Sequence, residues 1–282
     1  METTRIINRL PAPTFRWLHM NQTEIRVRED INREEENLCA GKGEQKLWIR
    51  HFEAASEDKC ETEKTTKIQV EDGGEAFLVQ IFFGGPSETF INSIESHVSE
   101  KGMFRLIQIF LTGEKTYNEC NVFLEGRKSG FSSDVCYLLD KEQRLDMNYV
   151  IRHLGQNSES NLNVHGVMDG NSKKIFRGTI DFVRGCAGAK GNEIEEVLML
   201  SPGTRNQTIP LILCDEEDVE GNHGATIGRL SEETLFYLKS RGIKEDDIYR
   251  MMARAKIELV TSRIPDEMTR EMILRRLSAC HQ

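Results

Sequence analysis

The 282-residue chain has no two cysteines close enough to form a zinc knuckle or a redox dithiol. Its seven cysteines stand at 39, 60, 120, 136, 186, 214 and 280, at least 16 residues apart, whereas both kinds of site start from thiols within about four residues. No apolar run approaches the ~18 residues that span a bilayer. The longest candidates, such as Ala76 to Phe83, have the length of a strand. Positive charge is not in excess: 46 acidic and 37 basic residues leave a net charge of −9, which argues against a general nucleic-acid or anionic-membrane binder. The motifs GxGxxG, GxxxxGK[ST], HExxH and GxSxG are missing, and so is an EF-hand loop. The opening METTRIINRLPAP has no apolar segment behind its charges, so no secretory signal is expected and the cytoplasm is the expected compartment. An odd cysteine count there reads as free thiols, most of them small buried apolar residues.

Hydrophobic residues make up 38% of the chain, enough for a core. Three zones differ in texture. Residues 1–70 form an N-terminal region, polar and partly helical in expectation. Thr14 stands where it would cap a short helix through Leu18, and Leu47, Trp48, Ile49 and Phe52 are anchors for the next zone. Residues 71–224 alternate apolar and polar with period two, as in Phe77, Val79, Ile81 and in Leu162, Val164, Gly166, Met168. Strands are expected near 105, 118, 135, 147, 162, 176, 196 and 210, with turn clusters between them. Even spacing over this length suggests a sandwich, a barrel or a β-solenoid, and inner glycines such as Gly166 and Gly178 suit closely stacked coils. Residues 225–282 are helical. Ser231 caps a first helix that Gly242 ends, Lys244 to Arg263 form a second, and Pro265 opens a third. Their apolar stripe either packs on the β zone or docks another protein.

Several residues offer chemistry. His223 lies between glycines near the junction of β zone and helical zone, with Cys214 nine residues upstream. Imidazole and thiolate are both iron ligands, but one of each does not fill a metal shell, so further ligands would come from a second chain. Lys173, Lys174 and Arg177 read first as a solvated turn, as does the acidic run Asp215 to Asp218. The glycine-rich run Gly185 to Gly191 reads as a turn between coils.

The stretch NSKKIFRGTIDFVRGCAGAKG from Asn171 to Gly191 resembles the SufB/SufD family of iron–sulfur cluster assembly proteins. So do Leu200 to Thr204, the block DEEDVEGNHGATIGRLSEETLFYLKSRGI from Asp215 to Ile243, and Ile264 to Glu267. The resemblance implies a right-handed parallel β-helix with helical regions at both ends. It also implies a non-enzymatic scaffold subunit that pairs with a SufB-type chain and holds a SufC-type ATPase through its C-terminal helices. A transient iron–sulfur cluster or iron would be handled at the subunit interface, none of it tightly bound by this chain alone. The His223-Gly224-Ala225-Thr226 form looks SufD-like, which makes His223 the interface ligand and the candidate metal-binding residue. Gly221 stands where some SufD-type chains carry a cysteine, and Cys214 is the second choice. Phe236, Tyr237, Arg241 and Ile248 are candidate ATPase contacts. A homodimer is expected in isolation. Two rivals remain: a β-helix carbohydrate-active enzyme using Asp181 with Glu193 or Glu195, and a paralogue that recruits the ATPase without cluster chemistry.

Overall fold

The computed structural model describes residues 2–14, 20–53, 60–85, 87–111 and 113–279. The short helix expected from Thr14 to Leu18 lies outside the described residues apart from Thr14 itself. The chain opens with an antiparallel pair, β1 (Glu2–Ile7) and β2 (Thr23–Arg28). It continues through β3 (Asn32–Ala40), β4 (Gln45–Glu53), β5 (Cys60–Val70), β6 (Glu75–Phe83), β7 (Glu88–Val98), β8 (Met103–Phe110) and β9 (Lys115–Leu124). Then follow β10 (Gly130–Leu139), β11 (Arg144–His153), β12 (Glu159–Met168), β13 (Lys173–Phe182), β14 (Ala189–Met199), β15 (Arg205–Cys214) and β16 (Val219–Gly228). Three helices close the chain: α1 (Glu232–Ser240), α2 (Glu245–Thr261) and α3 (Glu267–Ala279).

From β3 onward the odd strands stack in one parallel seven-stranded sheet and the even strands in another. Successive strands of one sheet are offset by 26 residues, as from Thr89 to Lys115, to 32, as from Lys173 to Arg205. Each offset is one coil of a solenoid of about seven coils. The positions expected from alternation fall inside β8 to β15 in order. The glycine-rich run makes the turn from β13 to β14, with Gly185 and Gly188 at positive φ.

The solenoid begins earlier than its texture suggests, at Asn32 rather than residue 71, and it runs on to Gly228. The first coils are masked by charge: Lys64 pairs with Glu34, Lys67 with Glu35 and Arg50 with Glu36, across strands or across the turn. Cross-strand ion pairs stabilise a sheet while hiding its alternation. Among the described residues the region before Asn32 supplies strands.

The space between the sheets is filled by inward rows of apolar side chains, including Leu78, Leu106, Val135 and Val164 from the even strands. Phe52, Phe82 and Phe110 stack ring on ring at 4.9 and 4.5 Å. Gly166 is the register partner of Tyr137, and a Cβ there would land in the phenol ring. Outside, α2 and α3 cover the even sheet through Ile257, Val260, Ile273 and Leu277 on Val79, Ile81, Ile107 and Ile109.

The N-terminal segment covers part of the odd sheet. Ile25 and Val27 pack on Ile91 and Tyr117, and Leu10 and Met20 on Ile209. A buried ion pair fastens it. Arg177 donates to Asp146 at 2.5 Å, to the Met20 carbonyl at 2.7 Å and to Thr23 at 3.0 Å, while Asn8 donates to Asp146 at 2.8 Å. The basic group read as a solvated turn is thus buried at two of its three members. Arg177 lies under the N-terminal segment, and Lys174 points into the solenoid. Each has a carboxylate to offset its desolvation: Asp146 reaches Arg177 from the preceding coil, and Glu195 reaches Lys174 from the facing strand of the same coil.

Candidate functional site

The last coil, β15 and β16, ends the solenoid with nothing packed on it along most of its length. In β16 every residue from Glu220 to Ile227 is exposed. Its inward row is Val219, Gly221, His223, Ala225 and Ile227, set by register on Ala189, Gly191, Glu193, Glu195 and Val197 of β14. His223 therefore stacks one strand spacing, roughly 4.8 Å, from Glu193.

Below His223 the interior is charged. Lys174 forms an ion pair with Glu195, and Thr208 donates to the same carboxylate at 2.7 Å. Glu193 is 3% exposed and lies directly over Gly178 of the opposite sheet, where a Cβ would collide with its carboxyl group. Burial, reinforced by Glu195 and opposed by Lys174, pushes the Glu193 carboxyl up to about 8. Burial lowers Lys174 to about 8 against the pull of Glu195.

Cys214 is not beside His223. It sits at the far end of β15 in register with Phe182, and its thiol donates to the Glu216 carbonyl at 3.0 Å. Ile212, two residues before it, packs by Gly221, two residues before His223. The two candidates thus share the inward face of one coil but are separated along it. Cys214 is exposed, as is Cys39, and only Cys120, Cys136 and Cys186 are buried among the described cysteines. Among the described residues no three His, Cys, Asp or Glu side chains converge as a metal-ligand set.

The carboxyl pair needed by a carbohydrate enzyme is not assembled. Asp181 alternates with Ile180 and Phe182, which pack inward, so it points outward and pairs with Arg152. Glu193 and Glu195 point inward. His153, inside the core, is satisfied by Ser158 and Ser160 at 2.8 Å each, and burial lowers it to about 4.

The second candidate surface is α1. Ser231 caps it by accepting from the Thr234 amide, yet none of its residues is buried. Phe236 is 74% exposed, Tyr237 is 55% exposed, and Arg241 lies 5.2 Å over the Tyr237 ring. Ile248 does not join them. It is 1% exposed, because the inner face of α2 is turned into the molecule. Ion pairs Lys256–Glu196, Arg263–Asp134 and Arg276–Glu53 tie α2, the turn after it and α3 to the even sheet.

Residues 28–256, most of the chain, match the model of the SUF system FeS cluster assembly SufBD core domain. The chain belongs to the SufBD family. It is 30% identical over 164 residues to the iron–sulfur cluster assembly protein SufD of Bacillus subtilis, covering 58% of this chain and 35% of that one. It is 27% identical over 180 residues to a SufBD family protein of Mycobacterium bovis, covering 64% and 20%. A Staphylococcus epidermidis SufBD family protein is 31% identical over 156 residues, covering 55% and 33%. The matched stretches thus span about a third or less of these relatives. Among the described residues no helix is long and apolar enough to cross a membrane.

Sequence reasoning singled out His223 as a candidate and gave the charged interior next to it no part. The signal was there: in Gly191-Asn192-Glu193-Ile194-Glu195-Glu196-Val197, two glutamates occupy the apolar slots of a period-two pattern.

Proposed function

We propose that the chain is a SufD-like, non-catalytic subunit of an iron–sulfur cluster assembly scaffold acting in the cytoplasm. It pairs with a SufB-type chain through the last coil and recruits a SufC-type ATPase through α1. The observation that carries this reading is the uncovered edge strand β16, with His223 at its centre. An edge strand offers unpaired backbone groups to another chain, and a partner docked there brings its own ligands to His223. The missing P-loop agrees with ATP hydrolysis residing on the partner. The exposed aromatic pair on α1, poised beside Arg241, has the composition of an interface anchor. The cluster is cargo in this reading, held between chains and passed on.

The test is co-expression with SufB-type and SufC-type proteins, anaerobic purification and a visible spectrum. A coloured complex retaining all three chains is expected. Gly224→Lys places a charge in open space on the edge and should release the SufB-type chain while keeping the ATPase. Phe236→Ala with Tyr237→Ala should do the reverse. His223→Ala should retain both chains and lose most of the colour. A colourless chain that captures neither partner overturns the proposal. A ternary complex whose colour ignores His223→Ala leaves recruitment alone.

A further inference from the structure

A cavity of about 760 Å³ lies between the N-terminal segment and the outer face of the odd sheet. Its floor includes Asn121 of β9 with Val150 and Arg152 of β11. Val150 and Arg152 alternate with Tyr149 and Ile151, which fill the core, so they stand on the outer face. The walls come from residues between 9 and 13 and between 21 and 24. They are pinned in place. The Leu10 amide donates to the Asn21 carbonyl at 2.8 Å, the Thr14 amide to Asn21 Oδ1 at 2.9 Å, and Asn148 to the Arg9 carbonyl at 3.3 Å. Pro11 and Pro13 restrict the same stretch of backbone. The space is therefore preformed, and its volume suits a small organic molecule.

The charges around it are balanced. Among the described residues Arg9, Arg152 and Glu24 are the charged side chains that line it. Arg152 meets Asp181 through Nε at 3.3 Å and lies 5.2 Å over the Phe123 ring. Arg9 and Glu24 are exposed, and among the described residues neither side chain has a hydrogen-bond or ion-pair partner. Arg9 and Arg152 thus stand against Glu24 and Asp181. A plain anion or a plain cation entering here meets a charge of its own sign. A molecule carrying both signs satisfies the free guanidinium and the free carboxylate together. Leu10 and Val150 offer apolar surface for its body.

We infer that this cavity binds a small zwitterion, a free amino acid or a short peptide. Its carboxylate meets the Arg9 and Arg152 guanidinium groups, whose paired donors match a carboxylate. Its ammonium group meets Glu24, and its apolar side chain lies on Leu10 and Val150. Asn121 supplies an amide for the polar backbone between them. The cavity lies on the odd sheet, whereas β16 belongs to the even sheet, so the inference stands apart from the scaffold reading.

Isothermal titration calorimetry of the full chain with L-leucine and with L-leucyl-L-leucine tests this. Saturable binding within the millimolar range is expected for at least one of them, and which one binds separates an amino acid from a peptide as the source. N-acetylation removes the ammonium group and C-terminal amidation removes the carboxylate, and each should weaken binding about tenfold. Glu24→Gln should weaken the unblocked ligand and leave the N-acetylated one unchanged. Arg9→Gln should weaken the unblocked ligand and leave the amidated one unchanged. Circular dichroism checks that both variants fold, and a merely structural effect would weaken every ligand alike. If neither ligand binds saturably, or if the blocked analogues bind as tightly as their parents, the inference fails. Partner capture in the co-expression experiment is untouched by either result, so the scaffold reading stands or falls separately.

Discussion

The two ends of the solenoid are both edges of the same two sheets, yet they are built differently. The first coil, β3 and β4, carries Arg33, Glu34, Glu35, Glu36, Lys46, Arg50 and Glu53. Glu34 and Glu36 share the row of Leu38 and Ala40, so charge points inward at this end. Inward charges on an edge strand block pairing with another sheet. The last coil, β15 and β16, has Arg205 and Glu220 as its charged residues, and its inward row on β16 is Val, Gly, His, Ala and Ile. One end carries inward charge that opposes association. The other is left plain, with a single ionisable residue on the inward row of its edge strand.

The ends also differ in how they are held. The first coil is secured by surface ion pairs, each worth at most ~1 kcal/mol. The last coil is reached from outside by the N-terminal segment, which Arg177 and Asp146 clamp at full burial while Leu10 and Met20 cover Ile209. The end proposed to meet a partner is thus braced from the side, and its edge stays free.

The largest expected effect comes from breaking that brace. Asp146→Ala strands the Arg177 charge in the interior and should cost about 3–5 kcal/mol in urea unfolding. Amide exchange should rise in β15 and β16 before it rises in β3 and β4. Uniform acceleration along the chain would show that the N-terminal segment does not brace the last coil.

A smaller effect separates the ends by pH. Glu193 titrates at about 8 in the folded chain against 4.5 for the free group, so the folded state binds the extra proton. Stability from this group is full below 4.5 and falls as pH rises toward 8. His153, lowered to about 4 from 6.5, acts in the opposite sense, but only below pH 6.5. Lys174, lowered to about 8 from 10.5, adds stability only as pH climbs above 8. Between pH 6.5 and 8 thermal unfolding should therefore show a loss of about 2 kcal/mol, and Glu193→Gln should abolish it. Equal slopes in both proteins would place the cause elsewhere.

The smallest effect tests the closed end. Glu34→Thr with Glu36→Val removes the inward charges and should raise self-association about tenfold, or about 1.4 kcal/mol, in sedimentation. Gly224→Lys at the other end should lower any self-association the chain has. If the double variant stays as monomeric as the parent, charge is not what closes the first edge.

Much of this was legible in the residues. The strand rhythm from 105 to 210 was legible because period-two alternation reports one buried face. Ser231 and Gly242 marked α1 because capping is local, and HGAT with its flanking blocks pointed to the family. The first coils were not legible, since Glu34, Glu36 and Lys64 occupy positions where alternation is read from apolar residues. Lys174 and Arg177 looked solvated because their partners, Glu195 and Asp146, lie 21 and 31 residues away in sequence. The pairing of Cys214 with His223 was inferred from nearness along the chain, and the strand geometry sets them apart on one coil.

The sequence by itself thus determined where the strands from 105 to 210 and the C-terminal helices form and which family the chain belongs to, because caps, turns and alternation act over a few residues. Only the tertiary structure decided which charges are buried, that Ile248 faces inward while Phe236 faces out, and that Glu193 stands beneath His223 at an open end. Those outcomes depend on which coil stacks on which, and the register of stacked coils is fixed by contacts some thirty residues apart.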